Sequence, residues 1–432
     1  MSFLRRQVIT AALTANAYRP LPGFAPGAWS FFPGWLTGEL APHLMAVTAT
    51  DALLHVGSSK KGKKLGLALA AANVAAQALL VKRSGLVQGQ VEDGLTAGLG
   101  ADYTDRIGGM PPAEELATPW RRLVNPFNFR NDAVVVERNI AYGDAGKRNL
   151  LDIYRPADHA DLRDAPVLLQ VHGGGWTIGE KEQQALPLMQ RMAAKGWVCV
   201  SINYRLSPRH EFPAHIIDVK KAIAWVKENI ASYGGDPNYV VITGGSAGGH
   251  LSSLAAVTAN DPAWQPGFED ADTSLIAAVP FYGVYDMAGS TGLRSAAAMR
   301  DKFLAPRVFK KRWSEAPEEF EAASPILRVT EDAPDFLVLH GANDTLVDVG
   351  QARAFVAKLK ETSSKSVTYV ELPGAQHAFD IFPSVRSEHG LRGVDRWLSW
   401  HHAGYLAAAA EALRAGEQPA GEQPAQEQPA EA

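Results

Sequence analysis

The sequence predicts an α/β fold in which a mostly parallel central sheet is covered by helices on both faces, with a helical extension at the N-terminus. The first observation is that, from residue 134 onward, short apolar stretches alternate with stretches of helical spacing. Such alternation is typical of parallel sheets covered by crossover helices. The second is that residues 1–130 have a different composition, dominated by Ala, Gly and aromatic residues. The sheet is therefore expected in the later part of the chain.

Composition limits the classes of protein to be considered. Of the 432 residues, 46% are hydrophobic and 20% are charged, as in globular proteins with one large domain plus extensions, or with two domains. The formal net charge is −4, so nothing global indicates nucleic-acid binding. The single cysteine, Cys199, excludes an intramolecular disulfide, and we interpret its surroundings as a buried strand.

Shifts in composition divide the chain into three segments. Residues 1–130 form the apolar helical extension, and residues 131–405 form the α/β domain. Within that domain, residues 286–321 interrupt the alternation with an Ala-, Arg- and Lys-rich insertion, which we predict to be a lid. Residues 406–432 are Ala-rich and then repeat Glu-Gln-Pro-Ala. Because this repeat has few apolar side chains to bury, it predicts a disordered tail.

The extension contains two apolar stretches of helical character, residues 35–56 and 65–81. The second has no formal charge, and its length is at the lower limit for a transmembrane helix. The run Lys60-Lys61-Gly62-Lys63-Lys64 between them favours a cytoplasmic loop or an anionic lipid surface. Two interpretations stay open: contact with a membrane surface through residues 35–81, or an Ala-rich helix buried against the α/β domain.

The start of the chain does not resemble a cleavable signal peptide. Arg5 and Arg6 are basic, but Thr10, Thr14 and Asn16 interrupt the apolar core that such a signal requires. We therefore expect a cytoplasmic protein, or one attached peripherally to the inner membrane.

Apolar runs of strand length and runs of helical spacing together predict the elements of the α/β domain. The predicted strands are residues 134–142, 149–154, 167–171, 197–204, 240–244, 275–282, 335–340 and 367–372. The predicted helices are residues 186–195, 213–233, 250–259, 348–360 and 384–400.

The helix predicted for residues 213–233 has the clearest periodicity. Its apolar side chains are three or four residues apart and fall on one face: Ile216, Val219, Ile223, Val226 and Ile230. A proline occupies its first turn, where the missing N–H needs no partner, and Gly-Gly-Asp-Pro ends it.

A Gly-x-Ser-x-Gly motif, Gly244-Gly245-Ser246-Ala247-Gly248, lies where a buried strand passes into a helix. In that context the serine occupies a sharp, strained turn that exposes its hydroxyl as a nucleophile. Glycines on both sides lack the Cβ atoms that would block so tight a turn. The motif alone recurs by chance, but the preceding strand and the following helix supply the required context.

The sequence His-Gly-Gly-Gly-Trp at residues 172–176 directly follows the strand predicted for 167–171. Consecutive glycines allow backbone N–H groups to point into a cavity without obstruction by side chains. We predict that the N–H groups of Gly174, Gly175 and Ala247 stabilise an oxyanion. The alternative, a merely flexible glycine loop, is disfavoured by the position after a buried strand and before the serine turn.

Four further residues of these motifs are expected to support the two turns. His172 and Gly173 begin the glycine loop, and Gly244 and Gly248 shape the serine turn. Trp176 ends the glycine loop, and we predict that it binds the substrate.

A nucleophilic serine needs an orienting acid, which we expect after a later strand. Asp344 follows the strand predicted for 335–340 and is the favoured residue. Asp348 is a weaker alternative because it is placed to cap the next helix. Asp286, which follows the strand 275–282, is either another possible acid or a structural residue that shapes the lid.

The general base is expected last in the chain, and His377 fits best among the 12 histidines. It follows the strand 367–372, so at the mouth of the sheet it could reach a serine through one ring nitrogen and an acid through the other. We interpret His172, His250 and His340 as structural. Because no His-Glu-x-x-His motif or cysteine cluster is present, we predict neither a metal nor a cofactor.

Taken together, these motifs resemble those of the α/β-hydrolase fold, and most closely the hormone-sensitive-lipase-like esterases with a His-Gly-Gly-Gly-Trp loop. The resemblance covers about residues 130–405. It implies that Ser246 is the nucleophile, Asp344 the acid and His377 the base, with the glycine loop binding the oxyanion. The sequence departs from the family at Gly245, where many members carry an aspartate.

The resemblance implies a carboxylesterase that acts on small-molecule esters. Kynurenine formamidases share a His-Gly-Gly-x-Trp loop, so an arylformamidase or another amidase is a second hypothesis. A non-catalytic receptor or adaptor on the same fold is a third. Such proteins typically lose a member of the triad, whereas Ser246, Asp344 and His377 are all present.

Overall fold

The computed structural model of the chain describes residues 1–57 and 62–417. The basic pair Lys60-Lys61 and residues 418–432 of the predicted tail therefore lie outside the described residues.

One eight-stranded sheet forms the centre of the molecule, in the order β1-β2-β4-β3-β5-β6-β7-β8. The strands are β1 (Val134–Ala141), β2 (Leu150–Pro156), β3 (Ala165–Val171), β4 (Val198–Ile202), β5 (Gly235–Gly245), β6 (Ala277–Phe281), β7 (Asp335–Gly341) and β8 (Val367–Leu372). The β1–β2 and β2–β4 pairs are antiparallel, and every other pair is parallel. The predicted mostly parallel sheet is confirmed.

Strand β5 begins earlier than the sequence predicts. Gly234 to Pro237 were expected to form only the turn after a helix, yet β5 starts at Gly235. The reason is that Gly235 pairs with Ala165 of β3, ahead of a register irregularity between Ala165 and Val167. Pairing with a neighbouring strand, which lies far away in the sequence, overrides the local turn signal.

Helices cover both faces of the sheet. Those of the α/β domain are α8 (Leu186–Ala194), α9 (Ala214–Asn229), α10 (Ala247–Val257), α11 (Arg294–Met299), α12 (Pro317–Ala322), α13 (Val349–Thr362) and α14 (Val385–Glu417). Between α11 and α12 a π-helix spans Arg300–Phe309. The predicted end of the last helix at residue 400 is wrong, because α14 continues to Glu417 through an Ala-rich stretch that favours helix.

The N-terminal extension is helical, as predicted. It contains α1 (Phe3–Tyr18), α2 (Phe24–Glu39), α3 (Ala41–His55), α4 (Lys63–Gly85), α5 (Val87–Leu99) and the short α6 (Ala113–Leu116) and α7 (Trp120–Leu123). The stretch predicted for residues 35–56 is divided between α2 and α3 at Leu40. Pro42 lies in the first turn of α3, where proline is tolerated, but its ring would disrupt a continuous helix.

The extension and the sheet share one hydrophobic core. Val87, Val91 and Leu95 of α5 are fully buried in the same cluster as Val370 of β8 and Trp397 of α14. Helix α5 also packs closely on the backbone of β8. A Cβ on Gly94 of α5 would lie 2.8 Å from the Tyr369 carbonyl oxygen, closer than real Cβ contacts allow. The change in composition near residue 130 is therefore not a boundary in packing.

Candidate active site

The sharp turn predicted at Ser246 is present between β5 and α10. Ser246 has φ 59° and ψ −120°, an unfavourable backbone conformation for a non-glycine residue. Its backbone N–H donates to the Phe281 carbonyl oxygen at 3.0 Å, which fixes the turn on β6. Added Cβ atoms on Gly244 and Gly248 would lie 2.6 and 2.0 Å from the Val171 carbonyl oxygen. Glycine is thus required on both sides of the serine.

The glycine loop packs directly against this turn. A Cβ on Gly173 would lie 2.5 Å from the Gly245 carbonyl oxygen and 3.2 Å from the Ser246 Cβ. Gly174 and Gly175 have φ values of 111° and 60°, in the range that favours glycine. Within the described part of the chain, neither of their N–H groups has a hydrogen-bond acceptor.

The N–H of Ala247 occupies the first turn of α10, where an α-helix has no internal acceptor for it. The positive end of the α10 dipole lies at the same point. The three predicted N–H donors therefore come from two adjacent turns, one on each side of the serine. This arrangement can stabilise negative charge on an oxygen beside the Ser246 hydroxyl.

The prediction that Trp176 binds substrate is wrong for its side chain. Trp176 is only 2% exposed, and its indole N–H donates to His250 Nδ1 at 3.2 Å. His250 Nε2 lies 2.8 Å from the Ala323 carbonyl oxygen, and burial lowers the pKa of His250 to about 4. A neutral His250 can accept from the indole while it donates to the carbonyl. Trp176 and His250 are therefore core residues that support the glycine loop.

His172 also supports the loop from the core. Its ring stacks on Tyr204 with centroids 4.3 Å apart, and the Tyr204 hydroxyl donates to the His172 carbonyl oxygen at 2.9 Å. Burial lowers the pKa of His172 to about 4, so the ring is neutral at pH 7. A neutral, buried imidazole agrees with the structural interpretation of His172.

Two loops at the carboxyl ends of β7 and β8 bring Asp344 and His377 together. His377 Nδ1 lies 2.6 Å from Asp344 Oδ2, and both side chains are buried. The other carboxylate oxygen, Oδ1, accepts from the N–H groups of Leu346 and Val347 at 2.9 and 2.8 Å. These bonds hold the carboxylate so that one oxygen is directed at the imidazole.

Asp344 is ionised in this setting. Burial alone would raise its pKa, but the neighbouring His377 and His340 imidazoles outweigh that effect and hold the pKa of Asp344 well below its usual range. His340 Nε2 lies 3.3 Å from Asp344 Oδ2 and 3.0 Å from the Val347 carbonyl oxygen. His340 is therefore not merely a core histidine, because it is a second imidazole in contact with the same carboxylate.

The hydrogen bonds of the described residues do not join His377 to Ser246. Among residues 1–57 and 62–417, the His377 ring is hydrogen-bonded to Asp344 alone. The His377 backbone N–H donates to the Gln376 amide oxygen at 2.9 Å. That amide oxygen also accepts from the Thr345 N–H at 2.8 Å, so Gln376 ties the aspartate loop to the histidine loop. Sequence analysis did not identify Gln376, although its place beside His377 was a usable signal.

The two alternative acids have other partners. Asp348 caps α13 by accepting from the Gly350 N–H at 2.8 Å, and it also accepts from the Ser295 hydroxyl. Asp286 accepts from the N–H and hydroxyl groups of Ser290 and Thr291 at the start of the insertion. Both carboxylates therefore already accept hydrogen bonds from residues other than His377, which agrees with a structural role for Asp348 and Asp286.

Helix α2 of the extension lies over the histidine loop. The Phe31 ring meets the His377 ring edge-on, with centroids 5.9 Å apart. The Thr345 hydroxyl donates to the Gly27 carbonyl oxygen at 2.9 Å, and a Cβ on Gly27 would lie 2.6 Å from the Thr345 carbonyl oxygen. Sequence analysis noted the aromatic residues of this region without assigning them to the site.

The predicted lid reaches the glycine loop from another direction. The tip of the Phe303 ring, in the π-helix, lies 3.1 Å from the position of a Cβ on Gly175. The insertion is also joined to the domain because the Phe212 N–H donates to the Val308 carbonyl oxygen at 2.9 Å. Aromatic side chains therefore border the candidate site both at the histidine and at the glycine loop.

Metal ligation is a separate question. Within residues 1–57 and 62–417, no group of three or more His, Cys, Asp or Glu side chains is arranged so that it could hold a metal ion.

Comparison with known proteins identifies relatives over most of the chain. The BD-FAE family model matches residues 151–359. The probable carboxylic ester hydrolase LipM of Mycobacterium tuberculosis is 44% identical over 419 residues, which cover 94% of this chain and 95% of LipM. Esterase LipQ of the same organism is 51% identical over 281 residues, covering 65% of this chain and 66% of LipQ.

Solved structures show the same architecture. A truncated carbohydrate esterase from gut microbiota is 26% identical, with a TM-score of 0.52, over 62% of this chain and 98% of its own. The propionate-bound esterase Est2 of Thermogutta terrifontis is 24% identical, with a TM-score of 0.51, over 62% of this chain and 94% of its own. At that identity, the second similarity concerns the fold alone.

Proposed function

The chain belongs to the hormone-sensitive-lipase-like carboxylesterases of the α/β-hydrolase superfamily, and on this premise we propose that Ser246, His377 and Asp344 carry out its hydrolysis of carboxylic esters. The observation that carries the assignment is the buried contact of 2.6 Å between His377 and Asp344. It lies at the same edge of the sheet as the strained serine turn, where the carboxyl ends of the parallel strands meet.

In the proposed acylation step, the Ser246 oxygen attacks the ester carbonyl carbon while His377 Nε2 accepts the hydroxyl proton. The approach of Nε2 to the hydroxyl is a contact that often tightens only when substrate binds. Asp344 stabilises the imidazolium and keeps the ring in place. The negative oxygen that forms is held by the N–H groups of Gly174, Gly175 and Ala247.

The tetrahedral intermediate then collapses. The bond to the alcohol oxygen breaks, and His377 returns the proton to the leaving alcohol, which leaves an acyl group on Ser246. Water next attacks this acyl group with His377 as base, and the second collapse releases the carboxylic acid and restores the serine hydroxyl. The same three N–H groups serve both intermediates.

A fluorophosphonate probe tests the assignment of the nucleophile. We expect the probe to label the chain once, on the peptide that contains Ser246, because a phosphonyl group bonded to serine mimics the tetrahedral intermediate. Peptide mass spectrometry locates the label. Prior incubation with a slowly hydrolysed ester should protect the site. Labelling of a different serine, at a rate equal to the loss of esterase activity, would contradict the proposal.

We further propose that the extension contacts a membrane surface through residues 35–81. One helical stretch of the described residues, Lys63–Leu99, is long and apolar enough to cross a membrane, and only 28% of its most apolar window is buried. Leu53 and Leu54 of α3 are 73% and 77% exposed, and Leu65 of α4 is 63% exposed. Apolar side chains presented to the outside in this way gain free energy in a lipid interface.

Sedimentation with vesicles tests this surface. Replacing Leu53 and Leu54 by serine should reduce the bound fraction several-fold, because the substitution removes two exposed apolar side chains. The matched control replaces Leu406 and Leu413 of α14, which are also exposed. Vesicles of neutral and anionic lipid separate apolar from electrostatic binding. Equal binding of the α3 variant and the unchanged protein would rule out this part of the surface.

A further inference from the structure

Three features beside the serine turn have no role in the proposed triad. Residue 245, directly before the proposed nucleophile, is glycine. Tyr282, directly after β6, has a positive φ of 39°, which costs free energy in a residue with a side chain. Asp380 is a carboxylic acid only 4% exposed. Tyr282 lies against Gly245 and is hydrogen-bonded to Asp380, so one arrangement accounts for all three features.

Tyr282 occupies the space next to Gly245. A Cβ on Gly245 would lie 2.7 Å from the Tyr282 hydroxyl oxygen and 2.8 Å from a ring carbon, so no side chain fits there. The backbone N–H of Tyr282 donates to the Leu339 carbonyl oxygen at 2.7 Å, which fixes the residue on β7. While the Tyr282 ring lies there, position 245 accommodates only glycine.

The same tyrosine ring packs on the proposed base. The Tyr282 and His377 ring centroids are 4.5 Å apart, with the planes inclined by 55°. Phe379 also packs edge-on against Tyr282, with the ring centroids 5.4 Å apart. The Tyr282 ring thus lies between the backbone of the serine turn and the imidazole, and its position determines how far the imidazole can tilt.

Asp380 holds the Tyr282 hydroxyl. That hydroxyl donates to Asp380 Oδ1 in a buried hydrogen bond. Burial raises the pKa of Asp380 to about 6, although the Tyr282 bond and the nearby His377 oppose the rise. The carboxylate is therefore mostly ionised at pH 7, where it can accept this bond.

We propose that Tyr282 and Asp380 form a positioning pair, which orients His377 toward Ser246. This proposal depends on the proposed triad, and it gives the pair a positioning role without substrate contact. Tyr282 restrains the imidazole through the contact between the two rings, whereas Asp344 restrains it through Nδ1. A base held by both contacts spends more of its time in the orientation in which Nε2 can accept the serine proton.

The pair also contributes negative charge to the surroundings of His377. The ionisable groups near the imidazole are Asp344, His340 and Asp380, with the Tyr282 hydroxyl between. Glu39 of α2 also raises the pKa of Asp380 and is itself paired with Arg386. Protonation of Asp380 below pH 6 weakens the bond that anchors Tyr282, so this carboxyl should contribute to the acid limb of activity, and replacing it by asparagine removes that contribution.

The test compares Tyr282→Phe and Asp380→Asn with the unchanged protein on a short p-nitrophenyl ester, measuring kcat and KM from pH 5 to 9. For Tyr282→Phe, which keeps the ring but not its anchor, we expect kcat to fall about tenfold while KM changes less than twofold. For Asp380→Asn, we expect a similar loss and an acid limb of the profile moved to lower pH by about half a unit or more.

Tyr405→Phe is the matched control, because the Tyr405 hydroxyl donates to Asp236 at 3.1 Å, away from the serine turn. It should leave kcat and the pH profile unchanged. A role limited to folding would lower the melting temperature without moving the acid limb. If Tyr282→Phe and Asp380→Asn both keep kcat within twofold and the same pH profile, the proposal is overturned.

The triad and the pair are tested separately by these measurements. Fluorophosphonate labelling of Ser246 in both variants shows that the nucleophile is intact, and slower labelling in step with kcat supports the pair. If Asp380→Asn does not fold, the result of Tyr282→Phe decides, since it adds no polar group and removes a single oxygen. Unchanged kcat in that folded variant would refute the pair while leaving the triad assignment standing.

Discussion

Replacing Ser246 by alanine is expected to lower kcat for a short p-nitrophenyl ester by about 10⁴-fold or more, with little change in stability. The substitution removes the oxygen that we propose forms the acyl bond, while the N–H groups of the glycine loop stay in place. What remains is the acceleration that an oxyanion site gives to direct attack by water. Initial rates at saturating substrate, with the melting temperature measured in parallel, check both expectations.

Ser253→Ala is the matched control for this variant. Ser253 lies about two helical turns further along α10. It is fully buried, and its hydroxyl donates to the Gly249 carbonyl oxygen at 2.7 Å. Its loss should affect stability modestly and leave kcat near that of the unchanged protein. Full activity in Ser246→Ala would mean that another group is the nucleophile, whatever the geometry of His377 and Asp344.

The parts of the site that local sequence predicts are those made by short, continuous segments. The turn at Ser246 needs Gly244 and Gly248 because a Cβ on either would collide with the end of β3. This requirement explains why the Gly-x-Ser-x-Gly motif can be recognised in the sequence. Asp344 and His377 could be placed in the same way, because each directly follows a recognisable strand and the ends of parallel strands meet at one edge.

Other contacts depend on segments that meet only after folding. Phe31 reaches His377 from α2, and Phe303 reaches Gly175 from the insertion. Neither residue is distinguished locally from other aromatic residues in apolar stretches. Trp176 illustrates the opposite error: a position next to a functional loop suggested substrate contact, yet its side chain is directed into the core. Sequence adjacency predicts the backbone at a site better than it predicts the direction of a side chain.

Helix α2 is joined to the α/β domain by a buried ion pair, and we expect its loss to reduce the stability of the protein strongly. Glu39, at the end of α2, pairs with Arg386 at the start of α14, and both side chains are almost fully buried. The Ser384 hydroxyl donates to Glu39 Oε2 at 2.6 Å. Replacing Glu39 by alanine should lower the free energy of unfolding by about 3–5 kcal/mol, because it leaves the Arg386 charge buried without a partner. Chemical denaturation measures this change.

The control is Asp132→Ala, which removes the partner of Arg130 in a pair whose two side chains are both exposed. There the expected loss is about 1 kcal/mol or less, since water screens and solvates the remaining charge. An equal loss in the two variants would show that burial does not determine the effect at Glu39.

A double variant without either charge separates two causes of the stability loss: the absence of the ion pair itself, or the burial of one unpaired charge. In Glu39→Met with Arg386→Met, no uncompensated charge stays buried, so much of the stability lost in Glu39→Ala should return. Activity need not return with stability, because the contact of Phe31 with His377 depends on the position of α2. A double variant that is stable but has lowered kcat would therefore identify the extension as part of the catalytic structure. Recovery of both stability and kcat would show that the ion pair only stabilises the fold.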